Sequence, residues 1–374
     1  MVGGIGLGWY VLHPSSPPIH PYEERNARAY AQEHSIEFRD VELTAPDGAV
    51  LQAWYMRPQQ ANGDAVILLH GVVDNRLEVY PYGKWLVEHH YTVLMPDARH
   101  HGASGGLTTY GVREVDDIHR WLDWMEKKER ARCMYGLGES MGGTELLESL
   151  PSEPRFCAVI AESPSASFRE EAYYRFGRPF HTGPWLGRTF FRPTLEVGIL
   201  FVRLRYGVNL NTVVPEQAVV GMKTPILLIH GLNDRNVPHY HSDLIQAKNS
   251  SWITVWKVPG AGHCAAGKVA PQEFVQRVLD WFGRHSKTEG PQAIRAEHGV
   301  FGDERGPSIA VHFPAEPVSS WFNRELRTAR SSSSRPAPER SISRNRFSNS
   351  AGGASNPFFS SAKYRGTNQS CRVV

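Results

Sequence analysis

Paired cysteines, strong net charge and long apolar runs are all missing from this sequence. Its 374 residues contain four cysteines, Cys133, Cys157, Cys264 and Cys371, at no paired spacing. They outline neither a disulfide framework nor a zinc-ligand pattern. Reduced thiols are expected, because a free cysteine behaves as a small buried hydrophobe. The net charge of +3 is mild and predicts no nucleic-acid partner. No apolar run is long enough to span a bilayer. The N-terminal stretch "VGGIGLGWYVL" falls short of that length, and it lacks the basic segment and cleavage site of a secretory signal. Residues 1–35 are read as a loosely packed N-terminal arm of a cytoplasmic protein, with the remnant of a membrane anchor as the alternative. His239 and His241 lack further convergent ligands and are read as exposed histidines, so no metal is expected. No internal repeat is visible.

What is present is a 41% hydrophobic content, ample for one sizeable core. "IEFRDVELTA" and "VLQAWYMRP" flank Pro46-Asp47-Gly48, which has hairpin turn chemistry. Short continuous apolar runs at 65–71, 91–99, 155–163, 224–231 and 252–260, with "ARCMYGLGES" before residue 141, fit strands buried on both faces. Helical spacing marks 79–90, 111–127, 142–150 and 271–285. This alternation predicts an α/β fold, a mostly parallel sheet with helices on both faces and an antiparallel edge. The domain is placed at 36–285. Within it the alternation breaks over 165–220, an aromatic- and Arg-rich insert read as a helical cap. Residues 286–374 are rich in Ser, Arg, Pro and Asn and poor in aliphatic residues. Such a segment buries too little apolar area to offset ordering entropy, so disorder is expected there.

Chemistry concentrates around "GLGESMGG". A strand precedes Ser140 and a helix follows it, so the hydroxyl projects from a sharp turn near a helix N-terminus. A serine is a weak nucleophile without a base. His263, in "VPGAGHCAAG" beyond the last strand, supplies one. The base needs an acid to fix its tautomer. Asp234, in "LLIHGLNDRNVP", is the first candidate, and Glu162, at the end of "CAVIAE", is its rival. An oxyanion needs donors; the Met141 N–H is one candidate and the Val72 N–H the other, with His70 and Gly71 shaping the turn. In the cap, Tyr173, Tyr174, Phe176, Phe180 and Trp185 exceed the needs of a surface connection. They form a satellite core, line an acyl pocket, or divide between the two.

The segments "LLHG" (68–71), "DARHHGASGG" (97–106), "GESMGG" (138–143), "LLIHGLNDRNVP" (227–238) and "GAGH" (260–263) together resemble the α/β-hydrolase superfamily, most closely its bacterial esterase and prolyl-oligopeptidase-type branch. The resemblance covers about 36–285. It implies Ser140 as nucleophile, Asp234 as acid and His263 as base, in the chain order of that fold, with no cofactor. Arg99-His100-His101-Gly102 stands where the family often has Arg-Gly-His-Gly, a departure expected to alter only turn geometry. The expected function is hydrolysis of a small carboxylic ester, of short-to-medium acyl length, through an acyl-enzyme. The alternatives are a peptidase or amidase on the same residues, and a ligand-binding protein of negligible turnover. No propeller-sized segment of the kind many such peptidases carry is present.

Overall fold

Apolar runs too short for helices become the strands of one eight-stranded sheet. The computed structural model describes residues 2–287; the segment expected to be disordered lies, from 288 onward, outside the described residues. The strands are β1 (Glu37–Thr44), β2 (Val50–Arg57), β3 (Asp64–Leu69), β4 (Thr92–Pro96), β5 (Cys133–Glu139), β6 (Phe156–Glu162), β7 (Ile226–Gly231) and β8 (Ile253–Val258), in the order β1-β2-β4-β3-β5-β6-β7-β8. β1 and β2 pair antiparallel, as do β2 and β4, and the remaining pairs are parallel. The hairpin turns at Gly48, with φ of 81° and its N–H bonded to the Ala45 carbonyl.

Strand residues alternate between two cores. Along β3, Val66 and Leu68 join a layer with Trp54, Trp85 and Phe274, while Ala65, Ile67 and Leu69 join Trp121, Leu146 and Ile245. The period-2 geometry of a strand makes this division, and each large side chain so buried contributes about 1.5–3 kcal/mol.

The helices are α1 (Val2–Leu12), α2 (Pro21–Glu33), α3 (Arg76–Glu88), α4 (Glu114–Glu129), α5 (Met141–Ser149), α6 (Phe168–Gly177), α7 (Trp185–Arg188), α8 (Arg192–Tyr206), α9 (Pro215–Ala218), α10 (Tyr240–Lys248), α11 (Ala266–Val269) and α12 (Pro271–Arg284). Residues of α2, α3 and α12 cover one face of the sheet, and residues of α4, α5 and α10 the other. Between β6 and β7, α6 to α9 replace the regular alternation.

Three expectations change. The N-terminal stretch is helical and packed. In α2, Ala27 and Ala31 are buried. In α1, Gly4 and Gly8 lie against α8, and a Cβ on Gly8 would come within 2.8 Å of the Gly198 carbonyl. Small residues let the two backbones approach that closely. Secondly, Cys133 and Cys157 form a disulfide. They lie on neighbouring strands whose pairing brings their Cα atoms to 5.7 Å, a proximity invisible in linear spacing. Thirdly, neither histidine of the pair is exposed: His241 is fully buried in α10, its Nδ1 accepting the Ala166 N–H at 3.0 Å, and His239 is half-buried. No helix among the described residues is long and apolar enough to cross a membrane.

Candidate active site

Parallel strands deliver their C-terminal ends to one edge of the sheet, where loops from β5, β7 and β8 converge. Ser140 joins β5 directly to α5. Its backbone has φ of 49° and ψ of −110°, a region costly for a residue with a Cβ. Surrounding contacts fix it there: the Ser140 N–H bonds to the Glu162 carbonyl at 2.8 Å, and the Thr144 N–H to the Ser140 carbonyl at 3.0 Å. The crowding demands glycine on both sides. A Cβ on Gly138 would lie 2.5 Å from the Gly142 backbone, and one on Gly142 would lie 2.5 Å from the Leu69 carbonyl oxygen.

His263 follows β8 and Asp234 follows β7. The Ser140 hydroxyl lies 2.9 Å from His263 Nε2, and His263 Nδ1 lies 2.7 Å from Asp234 Oδ2. All three residues are buried. The Asp234 Oδ1 accepts the N–H groups of Asn236 at 2.8 Å and Val237 at 3.0 Å. His230 Nε2 stands 3.4 Å from Oδ2 while bonding to the Val237 carbonyl at 2.8 Å. Burial alone would raise the carboxyl's pKa, but the bonds from His230 and His263 outweigh it and hold Asp234 well below the usual range. For His263, burial favours the neutral ring; Cys264 and the Asp234 carboxylate oppose it, and the ring's pKa lies well above its ordinary value.

Glu162, the rival acid, sits elsewhere. Its Oε1 accepts the Ala266 N–H at 2.9 Å, and its Oε2 is buried without a hydrogen-bond partner among the described residues. Burial first, then Cys264, pushes its pKa to about 8.

The two amide candidates belong to adjoining segments. Met141 is the first residue of α5, and Val72 lies in the turn after β3. The ends of these segments are joined, because the Gly142 N–H bonds to the His70 carbonyl at 3.1 Å. Two neutral histidines secure the Val72 turn. His70 donates from Nδ1 to the Gly71 carbonyl at 2.7 Å and accepts the Ala98 N–H on Nε2 at 3.0 Å. His101 donates to the Arg99 carbonyl at 2.7 Å and accepts the Val73 N–H at 3.2 Å. Burial lowers the first ring's pKa to about 4 and the second's to about 3. His101 therefore does more than shape its own turn.

The cap aromatics separate. The Tyr174 hydroxyl donates to the Arg235 carbonyl at 3.2 Å, on the loop that carries Asp234. Tyr173 accepts a bond from Arg169 within the cap. Phe176 stacks on Phe191 at 5.1 Å. Phe180 and Trp185 are 54% and 64% exposed.

The profile of the "Alpha/beta hydrolase family" matches residues 66–277, more than half of the chain and the span that holds all three buried residues. The chain belongs to the α/β hydrolase family. Its similarity to individual members is modest. It is 30% identical over 195 residues to the uncharacterized protein YqkD of Bacillus subtilis, across 51% of this chain and 61% of YqkD, so less than two thirds of that relative is spanned. It is 28% identical over 100 residues to the thermostable monoacylglycerol lipase of a Bacillus species, across 25% of this chain and 38% of the lipase. Among solved structures it is similar to the Pyrococcus furiosus esterase Pf2001, with a TM-score of 0.57 and 24% identity, covering 73% of this chain and 98% of the other. That likeness is one of fold.

Sequence reasoning missed three groups around this hydrolase-family site. His230, inside β7, gives Asp234 a second histidine neighbour. His101 holds the Val72 turn. Arg178 bonds to Asn236 Oδ1 at 2.9 Å and ties the cap to the acid loop. None announces itself by spacing; the "RHHG" departure falls on His100, and His101 matches the family's histidine.

Proposed function

We propose that this protein hydrolyses carboxylic esters through a covalent acyl-enzyme on Ser140, with His263 as base and Asp234 as its orienting acid. The observation that carries the reading is the hydrogen-bonded chain from Ser140 through His263 to Asp234 at 2.9 and 2.7 Å, with the serine held at positive φ. His263 takes the hydroxyl proton as Oγ attacks the ester carbonyl. The Met141 and Val72 amides would hold the oxyanion. The imidazolium then protonates the leaving alkoxide. Water, deprotonated by His263, cleaves the acyl-enzyme and regenerates Ser140. The proposed substrates are of short-to-medium acyl length, and the cap, which meets the loop of Asp234 through Tyr174, would bind the acyl group. The similarity to a monoacylglycerol lipase, although short, points to the same bond class.

A fluorophosphonate probe should label the wild type and leave Ser140→Ala unlabelled, and that variant should lose nearly all hydrolysis while melting like the wild type. Activity on p-nitrophenyl acyl esters should exceed that on aminoacyl-p-nitroanilides. Preference for the anilides would make the protein an amidase; product release in a single burst would make it a binding protein. Wild-type turnover in Ser140→Ala would end the covalent mechanism.

A further inference from the structure

The described residues expose an apolar surface that the proposed reaction does not use. Helix α1 carries no charged residue. Its Val2, Ile5 and Trp9 are spaced to share one face, and all three are exposed. On α8, Leu200 and Leu204 lie one turn apart and are 53% and 77% exposed. The two helices run side by side in the same direction, Gly4 against Thr194 and Val197, Gly8 against Gly198 and Val202. The first turn of α1 therefore lies beside the start of α8, where Phe190 protrudes at 73% exposure. Apolar side chains on a monomer's surface are normally scattered singly, and a larger grouping marks an interaction site.

Charge decides what fits. Residues 165–220 contain seven Arg and no Lys, against four Glu and no Asp. Three of those glutamates are engaged by Arg169, Arg175 and Arg188. Arg203 and Arg205, exposed at the end of α8, bracket Leu204, and no acid pairs with them among the described residues. A second copy docking by a two-fold axis would place arginines against arginines. An anionic lipid surface presents the opposite charge, and an apolar helix edged by arginine and tryptophan is suited to lie in its interface.

We propose that the outer face of the α1–α8 layer docks on an anionic bilayer surface, with Phe190, Leu200 and Leu204 entering the interface and Arg203 and Arg205 meeting its phosphates. The surface is independent of the chemistry at Ser140, so its test does not use hydrolysis as the readout.

The full chain is sedimented with phosphatidylcholine vesicles, and with vesicles that also contain phosphatidylglycerol. Retention on the second kind alone, weakened by salt, is expected. Phe190→Ser/Leu204→Ser and Arg203→Glu/Arg205→Glu should each lower the bound fraction by roughly tenfold or more. Both variants should keep the wild-type melting temperature and its rate on a soluble p-nitrophenyl ester. No retention of the wild type would overturn the proposal. So would equal retention of both variants, which would assign binding to the tail's arginines. A dimer seen by light scattering that Phe190→Ser/Leu204→Ser dissolves would assign the face to a second copy.

Discussion

At the residue scale, two carboxylates compete for one role, and their surroundings separate them. An acid that steadies an imidazolium must be ionised when the proton arrives. Asp234 meets this condition, because its backbone and histidine donors hold it below the usual range. Glu162 is pushed to about 8, so it is largely protonated at neutral pH. Asp234→Asn should lower kcat by about 10⁴-fold, since Asn stabilises the wrong tautomer of the base. Glu162→Gln, which imitates the protonated carboxyl, should cost less than about tenfold. The pH profile adds a second reading. A base raised by Cys264 and by its carboxylate is active only above that raised pKa, so kcat/KM should climb as pH rises through it. In Asp234→Asn the carboxylate is gone, and the acid limb of the residual activity should move to lower pH. The reverse ranking of the two variants would transfer the role to Glu162.

At the scale of elements, the sheet was legible wherever burial was complete. The β3, β5, β6 and β7 segments are apolar on both faces because helices cover both, and a run of that kind too short for a helix has few other readings. Ser140 and Asp234 were legible for a related reason, since each follows such a strand, whereas His263 follows β8, which is only partly buried. What escaped notice depends on pairing in space. The Cys133–Cys157 bond needs the crossover that sets β5 beside β6. The order of α1 needs the partner α8, with glycine at the points of approach. The clamp on the Val72 turn needs β3 and β4 side by side, so that histidines on two loops cross-brace them. This last arrangement is testable. His101→Phe keeps a buried ring but leaves the Val73 N–H without its acceptor. If the clamp positions the proposed Val72 donor, kcat should fall by about tenfold or more with KM nearly unchanged, because the interaction develops with the oxyanion. His101→Gln, whose amide oxygen can accept the same bond, should recover part of the loss. Unchanged kcat in His101→Phe would reduce the clamp to packing.

At the scale of the whole molecule, buried carboxyls set how stability varies with pH. Glu139 and Glu162 stand opposite each other on paired strands, and Glu145 is buried on α5. Burial raises all three pKa values above the ordinary 4.5, with nearby carboxylates adding to the shift. Their folded pKa values exceed the unfolded ones, so the native state holds protons that the unfolded chain releases. Their contribution is complete below about pH 4 and declines as pH rises through the folded pKa values. Asp234 and Glu153 act in the other direction: their folded pKa values are lowered, and their contribution is lost as pH falls. Glu145 isolates the first effect. Its Oε1 is buried without a hydrogen-bond partner among the described residues, and Glu114 and Asp117 are its charged neighbours. None of the side-chain hydrogen bonds of Ser140, His263 and Asp234 among the described residues involves it. Glu145→Gln keeps the shape of the protonated acid and removes the titration. In urea melts the variant should match the wild type near about pH 4 and unfold at a higher midpoint near about pH 8, with the m-value unchanged. A midpoint lowered equally at both pH values would show instead that the carboxyl, in whichever form, makes a bond that glutamine cannot replace.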